Sequence, residues 1–320
     1  MQQTEKQSAT TPSPFSWLHP RKGGFATFGD LLVLILLFVV SATAASLVVH
    51  WLGYPMPEPA EEGIPYPADW DFITFLNYAL QMACMLLLTL LYRRFRGGEA
   101  PLARFSARGL NPALLLGGVV VMLALSVVIE PLLGLVDVEQ LPMPEPGKGG
   151  WTLLSVVVLA PLCEELLCRG ILLEGLRSRY GITAALIGSS LFFALIHLHP
   201  VMVVNAFVLG LVFGILTLRT HSLWLAILLH AFNNAVALLL TWAEFPGERF
   251  DGRPMADLGL GEMIGNPVIY SIVYGVALLI CLRAAVVNLR LLHRISSGQP
   301  LKTTNEAPVE PPKIEKEGAE

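Results

Sequence analysis

Val156-Val157-Val158-Leu159-Ala160-Pro161-Leu162-Cys163-Glu164-Glu165-Leu166-Leu167-Cys168-Arg169 is the stretch on which the reading of this chain turns. Two adjacent carboxylates and a guanidinium interrupt an aliphatic run. Charges are costly in such surroundings, so an ionisable residue inside an apolar span marks a functional site by default. Leu166, Leu167, Ile171, Leu172 and Leu173 carry the run onward, which argues against a helix end that merely faces water. Glu165 and Arg169 are four apart, share a helix face and can form an ion pair. Glu164 points about a third of a turn away. Pairing can neutralise one carboxylate and leave the other for chemistry, because burial and a neighbouring cation push carboxyl groups in opposite directions.

Working outward, composition places that stretch in a membrane. The 320 residues are 54% hydrophobic and only 14% charged, with a mean hydropathy of +0.62. Few soluble domains are so apolar, and long greasy runs recur along the chain, as in a multi-spanning helical membrane protein. The net charge of −4 is small. No basic cluster suits nucleic acid, so the expected partners are the lipid bilayer and a membrane-embedded or membrane-associated protein or peptide. Cys84, Cys163, Cys168 and Cys281 all lie in apolar runs without metal-site or paired secreted spacing, and read as small hydrophobes.

Eight apolar helical segments are expected, over about 28–52, 71–92, 112–136, 151–174, 182–198, 201–218, 222–243 and 267–289. The fold class is therefore all-α, a polytopic membrane protein of about eight transmembrane helices around an intramembrane polar site. Residues 1–26 are polar and read as a flexible cytoplasmic arm. Residues 27–294 form the membrane domain, with a motif-bearing core over 151–243. Residues 295–320, rich in Pro, Glu and Lys, cannot bury enough apolar surface to fold alone. Small residues at Ser41-Ala42-Thr43-Ala44-Ala45-Ser46 resemble a cleavage site, but hydrophobicity resumes at Leu47. The first run thus reads as an uncleaved helix. Arg21, Lys22, Arg93, Arg94, Arg96, Arg104, Arg108, Arg177, Arg179, Arg219, Arg290, Arg294 and Lys302 fall in alternate loops. Most loops between them are poor in basic residues. An even helix count with both termini cytoplasmic fits this pattern.

Further polar residues interrupt the spans. His197 ends the run Leu191-Phe192-Phe193-Ala194-Leu195-Ile196, four residues after Phe193. His230 and Asn234 are also four apart, and stacked polar side chains in mid-span are not expected to face lipid. Two carboxylates, two imidazoles, an amide and a guanidinium on three helices suffice for hydrolysis: a base to activate water, a second group to orient it, and oxyanion donors. Glu130 reads as interfacial, Asp30 as the start of helix one, His221 as a turn residue, and Gly210 and Gly214 as close-packing positions.

Glu164-Glu165-x-x-x-Arg169, Phe193-x-x-x-His197 and His230-x-x-x-Asn234, in this order over roughly 70 residues, resemble the CAAX-protease and bacteriocin-processing (CPBP, Abi) family of intramembrane proteases. The resemblance implies a glutamate-dependent endopeptidase. Glu164 would be the base that activates water and His197 would help to hold that water. His230 and Asn234 would stabilise the oxyanion, with Glu165, Arg169 and Phe193 in support. It implies no cofactor. Zinc held by Glu164, His197 and His230 is the alternative, although no His-Glu-x-x-His helix is present. A prokaryotic plasma membrane is the expected location. Two rival readings are a proton-coupled transporter and a non-catalytic scaffold or immunity protein on the same fold. One tension is geometric: the loop pattern places His197 toward the far end of its span, away from Glu164 and His230.

Overall fold

Side-chain caps fix some of the helix starts. Thr27 accepts the Asp30 amide N–H and Asp30 accepts that of Thr27, a capping box that satisfies two otherwise orphaned donors. It opens α1 (Phe28–Trp51). α2 spans Trp70–Phe95. Asn111 accepts the amides of Ala113 and Leu114 ahead of α3 (Pro112–Leu133), with Pro112 at the first helical position, where its missing N–H costs nothing. Five pieces then run on without a break: Gly150–Leu153, π-helical Leu154–Leu159, Ala160–Glu165, π-helical Leu166–Leu173 and Glu174–Tyr180, together α4. Gly181, at φ 85°, makes the turn that L side chains resist. After it come α5 (Ile182–Leu195), α6 (Pro200–Thr220), α7 (Trp224–Trp242), the short α8 (Leu260–Ile264) and α9 (Pro267–Ser296).

The structure is a computed structural model that describes residues 24–54, 69–98, 102–103, 105–107, 110–134, 147–243, 255 and 258–296. Of the expected arms at 1–26 and 295–320, residues 1–23 and 297–320 lie outside the described residues, as do most of the acidic loops and Arg104 and Arg108. Phe25 and Ala26 are buried in the core, and residues 295–296 continue α9. Among the described residues there is no β-strand, and the protein is an all-α polytopic membrane protein. All eight expected apolar segments are helical. Six of them (α1, α2, α3, α6, α7 and α9) are long and apolar enough to cross a bilayer. α5 has 14 residues and extends about 21 Å, short of a hydrocarbon core of about 30 Å. α4 alternates α and π turns along its length.

α4 is the inner helix, touching α2, α5, α6 and α7. α1 packs on α2, α5 on α6, and α3 on α9. Leu167, Cys168, Leu172, Phe192, Phe193, Phe213 and Leu229 form the buried centre. Leu32, Leu36, Leu279 and Leu289 are largely exposed, as expected of side chains that meet lipid rather than water. The four cysteines are unbridged.

α2 and α4 are tied at one end. The Asp71 carboxylate accepts the Trp151 N–H at 3.0 Å and the Thr152 N–H at 2.7 Å, and the Thr152 hydroxyl also donates to it. The first-turn donors of α4, which have no intrahelical partner, are thus satisfied from a neighbouring helix. The ring of Trp151 packs on Phe75 with centroids 4.9 Å apart. A Cβ at Gly149 would collide with the Asp71 carboxylate. Gly149→Ala and Asp71→Ala should each destabilise the protein in mixed micelles by about 1–3 kcal/mol. Denaturant unfolding of the double variant should show little loss beyond the worse single change, since both remove one contact.

Candidate active site

The Arg169 guanidinium is fully buried. Nη1 donates to Glu165 Oε1 at 2.7 Å and Nη2 to the Gly210 carbonyl at 2.9 Å. Its plane lies over the Phe193 ring at 4.5 Å and near that of Phe213 at 5.4 Å. A guanidinium accepts this environment better than an ammonium would, because its fork matches planar acceptors and its faces stack on aromatic rings. Gly210 permits the approach of α6 to α5, since a Cβ there would press on Ser190 at 3.0–3.2 Å.

Glu165, also without exposure, turns the same Oε1 toward His230 Nδ1 at 3.0 Å. A carboxylate only accepts, so the hydrogen-bond network assigns the Nδ1 proton to His230. The imidazole stacks on Phe213 (5.3 Å, 22°) and meets Phe193 edge-on (5.3 Å, 89°). Its other nitrogen, Nε2, faces Glu164 Oε2 at 3.8 Å.

Glu164 retains 9% exposure where Glu165 has none. Its Oε1 accepts the Tyr78 hydroxyl of α2 at 2.7 Å. Its Oε2 is buried and accepts no hydrogen bond among the described residues. The two neighbouring carboxylates therefore have different surroundings. Glu165 is locked through Oε1 by a cation and an imidazole, and Glu164 is held through Oε1 by Tyr78. Oε2 of each accepts no hydrogen bond among the described residues, and that of Glu164 is the one that faces His230 Nε2.

Asn234 has a further partner, the Val156 carbonyl, to which Nδ2 donates at 2.9 Å. Local chemistry in α4 explains why that carbonyl is available. The Ala160 N–H is given to Ser155, five residues back. The next donor in π register would be residue 161, which is proline and has none. Asn234 therefore satisfies a carbonyl that both helical registers leave over. One N–H of its amide is committed there, and the second remains.

His197 departs from its expected place in a helix. α5 ends at Leu195, and His197 sits half-buried in the turn that follows. The cause is sequence-local: His199 and Pro200 open α6 two residues later, and proline disfavours helical backbone before it. His197 Nδ1 meets the Phe193 carbonyl at 2.7 Å, so that nitrogen is the protonated one. Phe193 packs against the rings of both His197 (4.9 Å) and His230 (5.3 Å). A single aromatic ring thus links the two histidines and Arg169.

Two residues of the site escaped the sequence reading. Tyr78 belongs to a face of α2 with Asp71 and Phe75, spaced i, i+4, i+7, and that stripe was the available signal. Phe213 had none beyond its place in an apolar run. Elsewhere, Glu130 accepts the Leu260 N–H at 2.5 Å, at the start of α8 and apart from this cluster. Among the described residues no group of three His, Cys, Asp or Glu side chains is arranged to hold a metal ion.

Residues 146–236 match a family model described as Type II CAAX prenyl endopeptidase Rce1-like. These residues are a domain of the CAAX-protease family. The CAAX-protease domain contains Glu164, Glu165, Arg169, Phe193, His197, His230 and Asn234, whereas Tyr78 lies outside it. A relative from Escherichia coli, an uncharacterized 24.3 kDa protein, is 41% identical over 93 residues. The match covers 28% of this chain and 43% of that relative, so the chain spans less than half the relative's length. No solved structure matches the chain.

Removing one member of a buried ion pair strands the other, at a cost of about 3–5 kcal/mol. Arg169→Met should destabilise the protein by that amount in micelle unfolding. Combining it with Glu165→Gln should recover part of the loss, because the stranded carboxylate is then gone.

Proposed function

We propose that the protein is an intramembrane endopeptidase in which Glu164 activates water without a metal ion. One observation carries this reading: a buried carboxylate oxygen, Glu164 Oε2, is free of protein donors and faces His230 Nε2 at 3.8 Å. A general base needs a lone pair within reach of the proton it takes. In the proposed reaction Glu164 Oε2 takes a proton from water, and the hydroxide attacks a substrate peptide carbonyl. His197 presents Nε2 as an acceptor, since Nδ1 is engaged with Phe193, and helps to hold that water. The tetrahedral oxyanion is stabilised by His230 and by the second N–H of Asn234. His230 can donate from Nε2 only as an imidazolium, because Nδ1 already carries a proton toward Glu165. Glu165 already balances Arg169, so the imidazolium charge is balanced by the Glu164 carboxylate that it faces and, once Glu164 has taken its proton, by the oxyanion. Glu164 then returns its proton to the departing amine.

The substrate on this reading is a protein or peptide within or at the bilayer, with the enzyme in a prokaryotic plasma membrane and both termini cytoplasmic. The alternation of basic loops supports that orientation, and the relative from Escherichia coli supports the prokaryotic setting. Family membership of residues 146–236 favours peptide hydrolysis over ion transport or a purely binding role.

Glu164→Gln and His230→Ala should each reduce cleavage at least about 10²-fold, the lower end of what a general base contributes. New protein N-termini in membranes that carry each variant, counted by mass spectrometry against wild type, measure this. Full cleavage by both variants contradicts the mechanism.

A further inference from the structure

We infer that Tyr78 is a positioning residue for the base: its hydroxyl holds one oxygen of Glu164 so that the other is presented to the reacting water. This rests on Glu164 being the base, and it extends the site beyond the CAAX-protease domain to a helix that the family model does not cover.

Glu164 has few other restraints. The ion pair of its neighbour does not reach it, and its only hydrogen bond among the described residues is the 2.7 Å contact from Tyr78. A glutamate side chain has several rotatable bonds, and an unheld carboxylate would sample several of its staggered rotamers. A base must meet its proton within about 0.5 Å of the productive position to work well. The phenol occupies Oε1, so Oε2 becomes the oxygen directed at His230 Nε2. The phenol is itself well placed. Tyr78 lies seven residues, about two turns, from Asp71 on the same face of α2. Asp71 is fastened to the start of α4. Fastening at one level sets the distance at the other, and Glu164 lies on that same α4.

The experiment compares wild type, Tyr78→Phe, Glu164→Gln and a protein with 3-fluorotyrosine at position 78, each reconstituted in vesicles of the membrane lipids with extracted membrane proteins. The readout is the rate of appearance of Glu164-dependent new N-termini. For the fastest-formed product, the parent peptide is then supplied at varied concentration. Tyr78→Phe should lower kcat about tenfold or more with KM within about twofold, and thermal unfolding should be unchanged. 3-Fluorotyrosine, which keeps ring and hydroxyl, should restore the rate. A purely structural role would move the unfolding temperature, and a substrate-contact role would move KM. Tyr78→Phe at full kcat beside an inactive Glu164→Gln overturns this inference and leaves the base assignment standing. Products that form equally with Glu164→Gln overturn the base assignment, and this inference with it.

Discussion

Burying the charge of Arg169 is the constraint that orders the rest of the molecule. A guanidinium out of contact with water needs its charge balanced and its N–H groups met as far as the fold allows. Here Nη1 and Nη2 are met, and Nε has no hydrogen-bond partner among the described residues. The balance comes from Glu165 on its own helix, a backbone carbonyl from Gly210 on α6, and aromatic faces from Phe193 on α5 and Phe213 on α6. Each partner brings its helix to α4. The same carboxylate oxygen then takes His230 from α7. One cation therefore fixes the mutual placement of four helices, and the imidazole that faces Glu164 is placed by the same interaction.

This arrangement explains how adjacent glutamates come to differ. They are about a third of a turn apart, so one points into the cluster and the other past it toward α2. Glu165 is spent on Arg169 and His230 and is closed to solvent. Glu164 keeps a trace of exposure and turns its unengaged oxygen toward His230 Nε2. Two identical side chains acquire different capacities from position alone, the principle by which paired carboxylates divide labour in enzymes generally.

The parts of this that depend on spacing were legible in the sequence. Glu165 and Arg169, Phe193 and His197, and His230 and Asn234 are pairs four apart, and a helix brings each pair together whatever the tertiary fold. The eight helical segments were legible for the same reason, as runs of apolar residues bounded by Gly, Pro and charge. What was not legible depends on how helices meet. Tyr78 is 86 residues from Glu164, and no local period relates them. The partner of Asn234 required knowing that Pro161 leaves a carbonyl over in α4 and that α7 passes beside it. His197 fell outside its helix because the start of α6 competes for the same backbone. That α5 is too short to cross a bilayer unaided follows from its early end at Leu195, not from its hydrophobicity.

The helix at the centre of the site is the one least able to stand alone. α4 carries a proline and two π-helical stretches, and each departs from the α ladder and leaves backbone groups to be met from outside. The structure supplies those partners from its neighbours: Asp71 at the first turn, Asn234 at Val156, and Arg169 bound across to Gly210. Irregular backbone of this kind is tolerated at membrane depth only where protein or a polar cavity surrounds it. The local weakness and the polar cluster therefore imply one another. The carboxylates need a helix that turns them toward different neighbours, and a helix so interrupted persists only because those neighbours hold it. Because α2 fastens the start of α4 at Asp71 and meets the Glu164 side chain through Tyr78, the geometry of residues 146–236 in this chain is set partly by a helix that precedes them.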